Sequence, residues 1–175
     1  MNILVLLGTS HLSFERLTDV LINIKGHEIY VQHGHTNLDP RLTGSAFMTR
    51  EDLFRKINWS DMVISQGGVG SVMDVLDCKK PVIIVPRQEQ FKELVGDQII
   101  FSDFVASLGL ARVCYNPENL ENYLTFFNKP CSGITIDYSG IVGEIKKLIW
   151  SACKLRTTTL SSNMNIIIPG GAGFI

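Results

Sequence analysis

A chain of 175 residues, 45% of them hydrophobic, has the size of one domain and enough apolar side chains for one real core, so a second full domain does not fit. Its 16 basic residues nearly cancel 17 acidic ones, which argues against a nucleic-acid footprint or a strong electrostatic membrane anchor and points to a small ligand. Cys78, Cys114, Cys131 and Cys153 lie far apart with no CxxC pair, a spacing that fits neither a zinc site nor a disulfide framework and predicts reduced thiols in a cytoplasmic protein.

Residues 3–7 form a continuous apolar run ended by Gly8, the pattern of a central parallel strand buried on both faces and not of a signal peptide. Phe14, Leu17, Val20, Leu21 and Ile24 then recur at helical spacing, with Ser13 as expected N-cap and Gly26 past the end. Residues 28–32 read as the next strand, and Thr49-Arg50-Glu51-Asp52 opens a second helix with a pattern like a capping box. Residues 62–65 are a third strand, followed by Gly67-Gly68-Val69-Gly70 and a helix with Val72, Val75 and Leu76 on one face.

Residues 81–85 give a fourth strand, 99–108 a helix closed by Gly109, and 111–114 a fifth strand. Asn116-Pro117-Glu118 opens a further helix by cap, Pro at the first position and an early acid. A last amphipathic helix is expected over 139–153, and no apolar run approaches the ~18 residues that span a bilayer. Repeated strand-helix units predict an α/β fold, a Rossmann-like doubly wound parallel sheet over residues 1–153. Ligands of such sheets bind at the carboxyl ends of the strands, where Gly8, residues 67–71 and residues 86–98 would lie.

Residues 154–175 depart from this pattern, with a polar linker and a strand running into Gly170-Gly171-Ala172-Gly173-Phe174-Ile175. That ending resembles the first strand and glycine turn of a short-chain-type nucleotide-sugar epimerase or dehydrogenase. It stops before the helix that would hold a pyrophosphate, so it reads as a truncated extension that binds no dinucleotide by itself.

The chemistry concentrates at Ser65-Gln66-Gly67-Gly68-Val69-Gly70-Ser71-Val72-Met73-Asp74. Glycines at a strand end let backbone approach a ligand, and the helix that follows aims its free N–H groups and positive dipole end at it, which suits a diphosphate. Asp74 lies one turn past Ser71, within reach of ribose hydroxyls at the same mouth. The glycines alone fit a tight packing turn equally well.

Taken with Lys79-Lys80-Pro81-Val82-Ile83-Ile84-Val85-Pro86-Arg87, Gln90-Phe91-Lys92-Glu93 and Asp97-Gln98, the stretch resembles the C-terminal domain of glycosyltransferase family 28. The likeness is to small donor-binding subunits of bacterial exopolysaccharide glycosyltransferases and of the enzyme that adds the second GlcNAc to dolichol-linked sugar. Gly8-Thr9-Ser10-His11-Leu12-Ser13-Phe14 resembles their first loop, and Val31-Gln32-His33-Gly34-His35-Thr36 their second strand and its loop. Five motifs in the right order cover residues 1 to about 150.

The resemblance implies one donor-binding half of a GT-B enzyme that inverts the anomeric centre of a UDP-sugar and needs neither cofactor nor metal. It implies contacts from Gly68, Gly70 and Ser71 to the diphosphate, from Asp74 to ribose and from Gln98 to sugar hydroxyls, with Gly8, Thr9 and Gly67 also among the substrate-binding residues. Arg87 and Lys92 are either phosphate contacts or solvated charges. His11 is either a general base or an exposed loop residue, and His33 and His35 are nucleotide-side contacts or loop residues.

The implied partners are the UDP-sugar, a polyprenyl-diphosphate-linked sugar acceptor and a membrane-anchored subunit that binds this acceptor and recruits the chain to the cytoplasmic face; no nucleic acid is involved. Asp74 stands where the family usually has Glu, Gln66 and Asp97 where it has His, and the first-loop histidine is displaced to His11. These departures motivate an alternative, a non-catalytic nucleotide-sugar-binding regulatory subunit. The glycine ending motivates a second, an NAD-linked oxidoreductase.

Overall fold

Strands and helices alternate as the periodicities predict: β1 (Asn2–Leu6), α1 (Glu15–Leu21), β2 (Glu28–Gln32), β3 (Thr43–Ser45), α2 (Arg50–Trp59), β4 (Met62–Ser65), α3 (Val69–Asp77), β5 (Val82–Ile84), α4 (Ile99–Ser107), β6 (Arg112–Val113) and α5 (Leu120–Thr125). The structure, a computed structural model, describes residues 1–93 and 98–125. The expected helix over 139–153 and the strand and glycine turn after 164 lie outside the described residues.

The six strands among the described residues are parallel and form one sheet in the order β3-β2-β1-β4-β5-β6. β1 is central because its residues are apolar on both faces: Ile3, Leu4, Val5, Leu6 and Leu7 are all buried. It pairs with β2 from Asn2↔Glu28 to Leu6↔Gln32 and with β4 from Ile3↔Met62 to Leu6↔Ser65. On one face Ile3, Val5 and Leu7 meet Phe14, Leu17 and Leu21 of the α1 segment in the main core cluster, which continues through Ile64, Ile83 and Val85.

Two boundaries differ from the sequence reading. Ser13 does not cap α1; its hydroxyl bonds the Glu15 carboxylate, and the cap position falls to Phe14, whose own N–H donates to the buried Thr36 hydroxyl at 3.0 Å. The demand of the core for the Phe14 ring outweighs the capping preference of serine. Asn116 caps as expected by accepting from Glu118 N, but what it opens is a short 3-10 turn, Pro117–Asn119, ahead of α5.

β3 was not anticipated. It is a three-residue edge strand of Thr, Gly and Ser, and it docks because Gly44 faces Val31 so closely that a Cβ would overlap the Val31 carbonyl oxygen. α2 starts where its box predicts: Thr49 accepts from Asp52 N at 3.1 Å and donates to the Asp52 carboxylate at 2.8 Å. Met48 and Leu53 occupy the two positions of a hydrophobic staple around that cap.

Thr49→Ala, which deletes this cap, is expected to cost about 1 kcal/mol and to lower the melting temperature by roughly 2–4 °C in a thermal unfolding experiment followed by circular dichroism.

Candidate active site at the switch point

The strand order reverses between β1 and β4, which leaves a crevice between the loops that follow them. The β1 loop starts at Gly8, whose φ of +76° only glycine adopts without strain. Gln32, at the end of β2, clamps this turn: its Oε1 accepts from Gly8 N at 3.1 Å, and its Nε2 donates to Gly8 O at 3.1 Å and to Ala46 O at 2.8 Å. Gly34 supports the turn from behind, since a Cβ there would overlap the Gly8 carbonyl oxygen.

The β4 loop turns through Gly67, at φ +91°, with Ser102 and Ile84 packed where its side chain would be. Gly68 then occupies the N-cap of α3 and supplies no capping side chain, so the leading N–H groups of the helix face outward. Open space surrounds the Cβ position of Gly70. A pocket of about 280 Å³ lies between the two loops, lined by Leu6, Gly8, Thr9, Gln32, Phe47, Met48, Leu53, Gln66, Gly68, Gly70 and Ser71.

Of the residues singled out from the sequence, Gly8, Thr9, Gly68, Gly70 and Ser71 line this pocket. Gly67 sits beneath it, and Gln98 lies on the far side of Gly67, its Oε1 accepting weakly from Arg87 N at 3.4 Å. His11 is exposed in the β1 loop and is not among the residues that line the pocket. Asp74, one turn along α3, faces Arg50 of α2 at 3.6 Å, and partial burial raises its carboxyl above the usual range despite that cation. His33 Nδ1 is held by Thr36 O at 2.8 Å, while the exposed His35 packs edge-on against Phe47. Lys92 is exposed in a left-handed turn. Among the described residues no cluster of His, Cys, Asp and Glu could hold a metal ion.

Arg87 is the largest departure. Expected either at the phosphate or as a solvated charge, it is neither: it is only 1% exposed, and every guanidinium nitrogen is spent within the protein. Nε donates to Gln66 Oε1 at 2.6 Å, Nη1 to the carbonyls of Leu12, Ser13 and Glu93, and Nη2 to that of Leu7. Burial lowers its pKa, opposed by the Glu93 carboxylate, and its guanidinium lies 4.7 Å from the centre of the Phe14 ring. Glu93 is itself bound by Arg16 through two oxygens, at 2.8 and 3.0 Å, and by Gln88 N.

The sequence reading gave Gln32, Phe47 and Met48 no role at the site and treated Gln66 only as a departure from the histidine of the family. A polar residue ending an apolar strand was the available signal for the two glutamines, and the staple position before Thr49 for Met48; the exposed Phe47 carried none. Arg87→Met is expected to cost about 3 kcal/mol or more in chemical denaturation, because it leaves buried carbonyls and the Gln66 amide oxygen short of donors.

No curated protein matches the sequence significantly. Among solved structures it is similar to the glycotransferase of kitacinnamycin, at 19% identity over 71% of this chain and 33% of that one, with a TM-score of 0.53. It is also similar to MurG of Acinetobacter baumannii, at 20% identity over 73% and 41% with a TM-score of 0.51, and to CalG4, the calicheamicin glycosyltransferase, at 15% over 69% and 33% with a TM-score of 0.51. At these identities the likeness is one of fold, to the C-terminal halves of GT-B glycosyltransferases, and the chain spans 33–41% of their length. The Rossmann-like sheet expected from the periodicities is borne out. Residues 21–132 match the glycosyltransferase family 28 C-terminal domain, and the chain belongs to that family.

Proposed function

We propose that the chain is the UDP-sugar-binding half of an inverting GT-B glycosyltransferase, completed by a second, membrane-anchored subunit that carries a polyprenyl-diphosphate-linked acceptor. The observation that supports this most is the coincidence of the uncapped α3 N-terminus, the Gly8 turn and the pocket at one switch point. Backbone N–H groups of Gly70 and Ser71 suit a diphosphate, and Phe47 and Met48 offer an apolar wall for the face of a base. Asp74 would take the ribose by giving up Arg50, a largely exposed partner, in a pair of a kind worth roughly 0–1 kcal/mol.

The pocket is near the lower end of the roughly 300–1,000 Å³ of small-molecule sites, as suits one wall of a cleft whose other wall belongs to a partner. Transfer needs the acceptor hydroxyl deprotonated and the departing UDP stabilised by fixed N–H dipoles, which is electrostatic catalysis without a metal. His11 is the candidate base in this chain, and the partner is the other source of one. No helix among the described residues is long and apolar enough to cross a membrane, so recruitment to the cytoplasmic face falls to the partner in this reading.

UDP is expected to stabilise the protein by about 2.7 kcal/mol at a hundred times its Kd, and NAD not at all, in a thermal shift experiment; the reverse pattern would reject the assignment. Gly70→Ala is expected to leave the melting temperature unchanged or slightly raised, since the site is open and alanine favours helix by up to about 1 kcal/mol, while weakening UDP binding. Sugar transfer with the partner co-expressed tests catalysis; UDP binding without turnover would favour the regulatory-subunit alternative.

A further inference from the structure

Gln66 links β4 to α3 and is 8% exposed. Its Oε1 accepts the Nε proton of Arg87 at 2.6 Å. A guanidinium has donors only, so the oxygen end of the carboxamide must face it, and the orientation of the amide is fixed by chemistry. The NH2 end is thereby turned the other way, toward Gly8 and Gly68. Nε2 lies 2.8 Å from where a Cβ on Gly68 would stand and would overlap one on Gly8.

Both glycines and Gln66 line the same pocket. Nε2 has no hydrogen-bond partner among the described residues, although it is part of a side chain more than nine-tenths buried. The amide belongs to a residue that lines the pocket, and it is aimed where α3 begins without a capping side chain.

We propose that the Gln66 amide is a ligand-contacting donor that completes the anion cradle, accepting partners being the diphosphate oxygens of the nucleotide, and that Arg87 is the positioning residue that keeps the amide turned toward them. The inference rests on the reading of this pocket as a UDP-sugar site and adds to it a side chain outside the glycine turn. It gives the absence of side chains at Gly8 and Gly68 a reason beyond backbone conformation: they leave room for an amide. It also gives the burial of Arg87 a consequence at the site, because a neutral or accepting neighbour would let the amide flip and present an oxygen to an anion.

The test is calorimetric titration of the full chain with UDP and with inorganic pyrophosphate. Gln66→Glu keeps the shape and the bond to Arg87 but replaces the N–H bonds with a carboxylate oxygen. It is expected to weaken both ligands by at least about tenfold, the loss that goes with one charge-assisted hydrogen bond, without lowering the melting temperature of the free protein. On an Arg87→Lys background, where the amide is no longer held, the same change is expected to cost less than about threefold more, a non-additivity that a purely structural arginine would not produce. In the wild type, the side-chain NH2 resonances of Gln66 are expected to shift on UDP addition. If UDP moves the backbone amides of residues 68–71 but leaves the Gln66 NH2 signals and the affinity of Gln66→Glu unchanged, the inference is overturned and the site reading survives. If the wild type binds neither UDP nor pyrophosphate, the site reading itself is overturned.

Discussion

A charge with no access to water organises this domain. Burying a guanidinium is costly, and the cost is offset only when each nitrogen finds an acceptor and a counter-charge lies near. Arg87 meets both conditions by collecting carbonyls from the end of β1, from the loop before α1 and from Glu93, together with the Gln66 amide. Glu93 passes the constraint on to Arg16 of α1 and to the backbone of Gln88. Three segments distant in sequence, residues 7–16, Gln66 and residues 87–93, are thus fixed relative to one another at the carboxyl edge of the sheet, where a ligand has to be met by groups already in position.

That edge has a consistent division of labour. Gln32 holds the Gly8 turn, Gln66 fills the space between Gly8 and Gly68, and glycines make room for the Gln66 amide. The polar part of the pocket wall is therefore backbone, hydroxyls and neutral amides, opposite an apolar part that includes Phe47 and Met48. A wall of neutral donors suits an anion whose charge grows during reaction, since it adds no strong attraction before that growth.

Much of the fold was legible because parallel strands buried on both faces are written as apolar runs, as in β1, β4 and β5. Thr49 was readable because a cap is a local bond between near neighbours. β3 was not, since Thr43-Gly44-Ser45 carries no apolar signal and is made a strand by close approach to Val31. At the site, the glycine turn was legible from backbone chemistry. Arg87 was misread because a basic residue after a strand looks alike whether it points at a phosphate or into the protein; its acceptors come from residues up to 80 positions away. Gln66 was legible only as a missing histidine for a related reason, as the direction of its amide depends on Arg87.

The strand order has a consequence for how the chain reaches this state. β1 is the central and most apolar strand, yet its second neighbour, β4, lies some 59 residues further along, from Ile3↔Met62 to Leu6↔Ser65. Until that segment is available, one rim of β1 has no native partner, and the main-chain groups of Ile3 to Leu6 on that side stay open to foreign strands. The interval between making β1 and making β4 is thus the period in which the nascent polypeptide is most exposed to aggregation, and shielding of that rim by a chaperone would protect it most.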